Sequence, residues 1–341
     1  RNRNSHREPK GIQMNRRDFL KAAVAAGIVA GLPSASHAAA GSAYKTKLEK
    51  ALIAQVADDA TCERIVKAGF SGVELTKKGV TVKQAIEGRR TAEKHGLRIH
   101  SLMSGGADFN NPDPDARQRS LDVMTERIQV AAAYGASTML LVPCRVNGHV
   151  PSPTQFSIDF DPQTLHARTV VKGNNAPFSA YIDAQNRSTD LTREFVEKLI
   201  PVAAREGVII ALENVWNNLW VAPEFAAALV KSFDSPWIRA YVDLGNHVRY
   251  TAPERWLRTM GPLTVKLHIK DFRIDRSMKN DGEFVALGRG SVDWKSVRHV
   301  IDEVRYNGWV TIEENGYSDA EYSAIMDRFF AGQALTGGSP S

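Results

Sequence analysis

Cysteine is scarce: Cys62 and Cys144 are the whole complement in 341 residues. A disulfide framework is thereby excluded. Even the one bridge available is not expected. Cys62 falls on an expected helix and Cys144 after the fourth expected strand, and disulfide geometry is demanding. Long hydrophobic runs are also lacking. The apolar run Ala22–Leu32 has eleven residues, and a bilayer span needs about 20, so no membrane span is expected. No Gly-x-Gly-x-x-Gly follows the first expected strand, which removes support for an open dinucleotide-binding sheet. Excess charge is missing from most of the chain as well. The formal net charge is +6, but residues 1–38 hold seven cationic side chains and two carboxylates. The remainder is close to neutral, and no nucleic-acid partner is expected.

What is present begins with those first residues. Asn15-Arg16-Arg17-Asp18-Phe19-Leu20-Lys21 precedes the apolar run, and Ser36-His37-Ala38 follows as a small-residue cleavage site. The three regions in this order read as a twin-arginine export signal within a leader at 1–38. The expected partner is the twin-arginine export machinery, and the expected location is periplasmic or secreted.

From 39 to 341 the chain alternates short apolar runs with amphipathic segments. Strands are expected at 48–54, 72–75, 98–103, 138–142, 208–212, 240–242, 265–269 and 309–312. Helices are expected at 62–68, 82–95, 116–134, 191–205, 223–233, 253–260, 294–306 and 320–329. Continuous apolar strands, each followed by a helix, indicate a parallel sheet. Eight such units in one domain predict an α/β fold, the (β/α)8 TIM barrel. The stretch 147–187, after the fourth strand, has no clear period. It reads as an insertion serving as a lid or an interface arm.

In such a barrel, chemistry gathers at the carboxyl ends of the strands. The fifth to eighth strands end on Glu213, Asp243, His268 and Glu313. Three carboxylates converging on one imidazole repel one another unless a cation joins them. An oxygen-rich set with one imidazole suits a single divalent ion: Mn, Mg, Co or Zn.

The chain resembles the sugar phosphate isomerase/epimerase family, the xylose isomerase-like barrels. The resemblance rests on Gly69-Phe-Ser-Gly-Val-Glu-Leu75, Leu212-Glu-Asn-Val-Trp-Asn217, Val242-Asp-Leu-Gly-Asn246, Leu267-His-Ile-Lys-Asp-Phe272 and Gly308-Trp-Val-Thr-Ile-Glu313. It implies that Glu213, Asp243, His268 and Glu313 are metal ligands. It also implies that Glu213 and Glu313 are the catalytic acid/base pair. Glu314 is then expected to point the opposite way by strand alternation. Relatives that epimerise ketoses carry Glu where this chain has Leu219, and His where it has Asn246, with His247 beside it. The metal site is kept while the substrate-handling positions differ.

Further candidates for contact with a carbohydrate substrate are Glu74, His100, Arg145, Trp216, Asn246, His247, Lys270 and Arg273. Glu74 and His100 have alternative readings as a salt-bridge partner and a core residue. Arg273 and the loop 282–290 are expected to close over the site. The leading reading is an isomerase or epimerase of a keto sugar acting through an enediolate. The alternative is an exported lyase that eliminates the aglycone of a 3-keto-glycoside at the same metal site. An endonuclease-IV-like nuclease on this fold needs more metal ligands and a more basic surface. A homo-oligomer built through 147–187 is a further expectation from the resemblance.

Overall fold

The computed structural model describes residues 44–335. The leader and its export signal therefore lie outside the described residues. Eight parallel strands close into a barrel: β1 (Leu48–Ala54), β2 (Gly72–Leu75), β3 (Arg98–Gly106), β4 (Thr138–Val142), β7 (Ile209–Glu213), β8 (Ile238–Asp243), β9 (Thr264–Ile269) and β12 (Gly308–Ile312). Pairing of β1 with β12, Leu48 opposite Gly308, closes the ring. A closed parallel ring leaves no free sheet edge.

Between the strands run α1 (Asp59–Lys67), α2 (Val82–Lys94), α3 (Pro114–Tyr134), α4 (Ser179–Glu206), α5 (Pro223–Ser232), α6 (Pro253–Met260), α7 (Trp294–Glu303) and α8 (Asp319–Phe330). Their starts carry local signals. Thr81 with Gln84, and Ser318 with Glu321, form capping boxes. Pro223 and Pro253 open α5 and α6, where a missing N–H costs nothing. The helices bury Ile65, Ile128, Val196, Leu199, Leu229, Trp256 and Val297 against the barrel wall. Among the described residues, no helix is long and apolar enough to cross a membrane.

Two segments differ from expectation. The insertion is not structureless: β5 (Phe156–Phe160) and β6 (Ala167–Val171) form an antiparallel hairpin. Phe160 stacks on Phe225 of α5 at 4.6 Å, which fixes the hairpin on the barrel's flank. Helix α4 begins at Ser179, twelve residues before the expected start. Its first half buries a polar face rather than an apolar one. Tyr181 donates to the Asn218 carbonyl at 2.7 Å, and Gln185 accepts from the Trp220 amide at 3.2 Å. Thr189 accepts from the Trp220 indole at 3.1 Å. Those bonds satisfy the β7–α5 loop, and they erase the hydrophobic period that marks a helix in sequence.

The barrel interior is unusually polar in its lower layers. Gly72 leaves room there for the Trp309 ring, because a Cβ at that position would meet the ring at 2.1 Å. His100 stacks on the same ring at 4.8 Å. Lys266 is also buried, and burial pushes its amine down to about 7.

Cys62 and Cys144 are free and buried, as the sequence led us to expect. Burial raises both thiols, Cys144 to about 12. The native protein is predicted to leave both thiols unmodified by a thiol-specific reagent at mildly alkaline pH, and the denatured chain to expose both. Rapid labelling of the native chain would contradict this packing.

Candidate metal centre

Glu213 ends β7, Asp243 ends β8, His268 lies in β9 and Glu313 follows β12. These strands are neighbours in the ring, in the order β12, β9, β8, β7. Their carboxyl ends therefore bring the four side chains to one rim. One donor atom from each lies within 4.8 Å of the others.

His268 is the hub and is fully buried. Its Nδ1 lies 3.0 Å from Glu213 Oε1, 3.0 Å from Glu313 Oε2 and 3.9 Å from Asp243 Oδ2. Its Nε2 lies 2.6 Å from Glu74 Oε2 on the opposite side. Glu74 is thus not on the pocket wall. It grips the far nitrogen of the ring and leaves Nδ1 for the cluster, as a carboxylate behind a metal-bound histidine does.

Glu74 is held in turn. Tyr241 donates to its Oε2 at 3.2 Å. A phenol has one proton to give, so the Thr311 hydroxyl at 3.3 Å must donate to Tyr241. Thr311 then accepts from His100 Nε2 at 3.1 Å, which fixes the tautomer of that ring. Burial keeps His100 well below its usual range and therefore neutral. His100 is part of the barrel core under the site and does not reach the rim.

The second cation is Lys270, with Nζ 2.8 Å from Glu313 and 3.2 Å from Asp243. Burial pushes the Glu213 and Asp243 carboxyls up. Burial also acts against ionising Glu313, but the charges of His268 and Lys270 overcome it and hold that carboxyl well below the usual range. Burial alone would lower His268. The carboxylates of Glu313 and Glu74 outweigh it and raise the ring well above its usual value.

The donor set fits a divalent ion. Asp243 Oδ2 is buried and faces the cluster, where the ion pair with Lys270 at 3.2 Å is its contact with a cation and no hydrogen bond completes it. Its Oδ1 is fixed by the amides of Gly245, at 2.8 Å, and Asn246. Asn214, which the sequence reading did not single out, locks Asp243 by its backbone. It accepts from the Asp243 amide at 2.7 Å and donates to its carbonyl at 2.9 Å. Gly245 lets this turn approach Lys270, whose backbone oxygen would lie 2.5 Å from any Cβ there.

The remaining candidates divide. Glu314 points away from the cluster, as alternation requires, and accepts the Leu287 amide at 2.7 Å. Asn246 lies in the rim turn, and its carbonyl accepts from the Trp216 indole. His247 is buried behind that turn, its Nε2 2.9 Å from the Val215 carbonyl. The Trp216 ring is engaged by Arg249, Phe272 and Phe284. Arg145 donates to the Trp216 carbonyl.

Arg273 is not brought to the site. It lies on the outer hairpin of β10 (Asp271–Ile274) with β11 (Gly282–Val285), paired with exposed Glu283. Asp271 Oδ2 pins the following loop by accepting from the Gly288 amide at 3.0 Å, the Gly290 amide at 2.9 Å and the Trp294 indole at 2.9 Å. Beside Glu313 opens a cleft of about 570 Å³ walled by Leu52, Met103, Ile312 and Tyr317.

Two outcomes follow from this geometry. Glu74→Gln is predicted to weaken Mn²⁺ binding by about tenfold to a hundredfold while the chain stays folded. Unchanged calorimetric affinity would remove Glu74 from this role. Metal binding competes with protons at Glu213, Asp243 and His268, all raised above their usual values. Affinity is therefore predicted to be higher at about pH 8 than at about pH 6, and equal affinities would count against this ligand set.

Comparison with known proteins agrees with the barrel. A twin-arginine translocation pathway signal sequence matches residues 13–33, so the chain carries an export signal directing it to the periplasm or beyond. An uncharacterized protein of Methanocaldococcus jannaschii is 25% identical over 131 residues, covering 37% of this chain and 43% of that protein. The chain thus matches less than half of that relative's length.

A xylose isomerase domain protein from Planctomyces limnophilus superposes with a TM-score of 0.60 at 16% identity, covering 85% of this chain and 96% of that one. A D-tagatose 3-epimerase-like protein gives 0.63 at 16%, covering 82% and 96%. The 3-keto-D-glucoside 4-epimerase of E. coli gives 0.56 at 14%, covering 83% and 99%. At these identities the likeness establishes the fold. The profile of the xylose isomerase-like TIM barrel matches residues 62–329, and the chain belongs to that family.

Proposed function

We propose that the protein is a divalent-metal-dependent epimerase or isomerase of a keto sugar, with Glu213 and Glu313 as its proton-transfer pair. One observation carries this reading. Two glutamates from different strands, Glu213 ending β7 and Glu313 following β12, meet the same His268 nitrogen at 3.0 Å. With one proton between them, one carboxylate can take a proton from a bound substrate while the other gives one.

A bound divalent ion would supply Lewis acidity, drawing electrons from the substrate carbonyl and acidifying the neighbouring C–H. Glu313 takes that proton as the C–H bond breaks, and the electron pair moves to the carbonyl oxygen. Lys270 is placed to hold the oxyanion that develops. Glu213 returns a proton to the opposite face, and the configuration at that carbon is inverted. Solved barrels of similar shape include one titled D-tagatose 3-epimerase-like and a 3-keto-D-glucoside 4-epimerase, which supports a keto sugar as the substrate class.

The same pair serves a second reaction, elimination. When the carbon next to the carbanion carries a glycosidic oxygen, the electron pair expels it and Glu213 protonates the leaving aglycone. The export signal favours this reading, since it takes the enzyme to where glycosides arrive from outside. The cleft of about 570 Å³ beside Glu313 offers space for an aglycone.

Glu313→Gln is predicted to lower turnover by about 10²- to 10⁴-fold with the fold retained. Solvent deuterium entering a 3-keto-glucoside without cleavage identifies epimerisation, and release of the aglycone identifies elimination. Wild-type turnover rates in Glu313→Gln, or full activity after exhaustive chelation, would overturn the proposal.

A further inference from the structure

Arg249 lies in the loop between β8 and α6 and is only 9% exposed. Its guanidinium carbon sits 3.7 Å from the centre of the Trp216 ring and 4.9 Å from that of Tyr250. Nη2 donates to the Tyr250 hydroxyl at 2.8 Å, while Nε is buried with no partner. Among the described residues, no carboxylate lies within 4.0 Å of it. Guanidinium stays charged at any working pH, and a buried charge without a counter-ion is costly. Two aromatic faces offset part of that cost.

Arg145 is exposed and meets the backbone of the same tryptophan. It donates to the Trp216 carbonyl and also has no carboxylate partner among the described residues. The outer loop cations behave differently: Arg273 pairs with Glu283, and Arg276 with Asp281. The hairpin of the insertion holds this corner in place, since Phe156 packs edge-on to Tyr250 at 5.7 Å.

The corner adjoins the metal centre. Trp216 stands 4.9 Å from Phe284, and Phe284 lies 5.3 Å from Lys270 Nζ, which contacts Glu313 and Asp243. His247 registers both charges. Burial first, then Arg249 and Lys270, push its ring down to about 4.

We propose that Arg249 and Arg145, both in contact with Trp216, form an anion subsite beside the metal centre, so that the sugar handled there carries a carboxylate or a phosphate away from its reacting carbon. A guanidinium fork pairs with either group through parallel hydrogen bonds. The proposal rests on the keto-sugar reading for the location of the substrate.

Calorimetric titration of the full chain with D-glucuronate, D-glucose 6-phosphate and D-glucose tests it. At least one anionic sugar is expected to bind about tenfold to a hundredfold more tightly than D-glucose, the worth of one or two charge-assisted hydrogen bonds. Whichever binds more tightly distinguishes carboxylate from phosphate. Arg249→Lys keeps the charge, loses the fork, and is expected to cut the preference. Arg145→Gln, at an exposed position, is expected to cut it without changing the melting temperature.

Anionic sugars that bind no more tightly than D-glucose, or a preference intact in both variants, would overturn the subsite. Binding is read without turnover, so the two readings fail separately. Lost preference with keto-sugar turnover intact sinks the subsite alone. Intact preference with no turnover of any keto sugar sinks the proposed reaction alone.

Discussion

The barrel is organised around one buried imidazole held between carboxylates. His268 is gripped from below by Glu74 and faces Glu213 and Glu313 at its other nitrogen. Its strand carries basic residues at every second position, Lys266, His268 and Lys270. Alternation sends all three to the same face. Opposite charges answer His268 and Lys270, because an unpaired charge in a low-dielectric interior is costly, whereas burial pushes the Lys266 amine down to about 7. Glu74, Asp243, Glu213 and Glu313 come from four other strands to do so. Closure of the barrel and formation of the site are therefore one event.

The loops above the barrel follow the same logic. Asn214 fixes the backbone of Asp243, and the amides of the next turn fix its carboxylate. Asp271 faces outward and pins the loop through residues 288–290, while Glu314 holds the Leu287 amide. Of the acidic pair Glu313-Glu314, one member serves the cluster and the other serves the backbone around it. Donor atoms placed by rigid strands and braced turns need little rearrangement to meet an ion, which favours tight and selective binding.

The eight strands were legible because most are short, mainly apolar runs, the pattern of a sheet covered on both faces, each followed by a helical period. The four cluster residues were legible because each interrupts such a run at its carboxyl end. Glu74 was legible as unusual but not as to its role, since a carboxylate ending a strand looks the same whether it faces a ligand or the back of a histidine. The first half of α4 was hidden because its buried face is Tyr181, Gln185, Ser188 and Thr189. Their value lies in hydrogen bonds to a loop distant in sequence. Arg273 and Arg249 are both loop arginines following a barrel strand. Only the folded chain shows that one meets Glu283 in solvent while the other is buried between two rings.

By itself, then, the sequence determined the barrel, the order of its strands and the identity of the four residues on its rim. Those depend on local alternation and on a hydrophobic pattern that repeats along the chain. The tertiary structure alone decided which nitrogen of His268 faces the cluster, which carboxylate stands behind the ring, and which arginine lacks a counter-charge. Each of these depends on distances of a few ångströms between strands far apart in sequence, and electrostatic energy is set by those distances and by the burial around them.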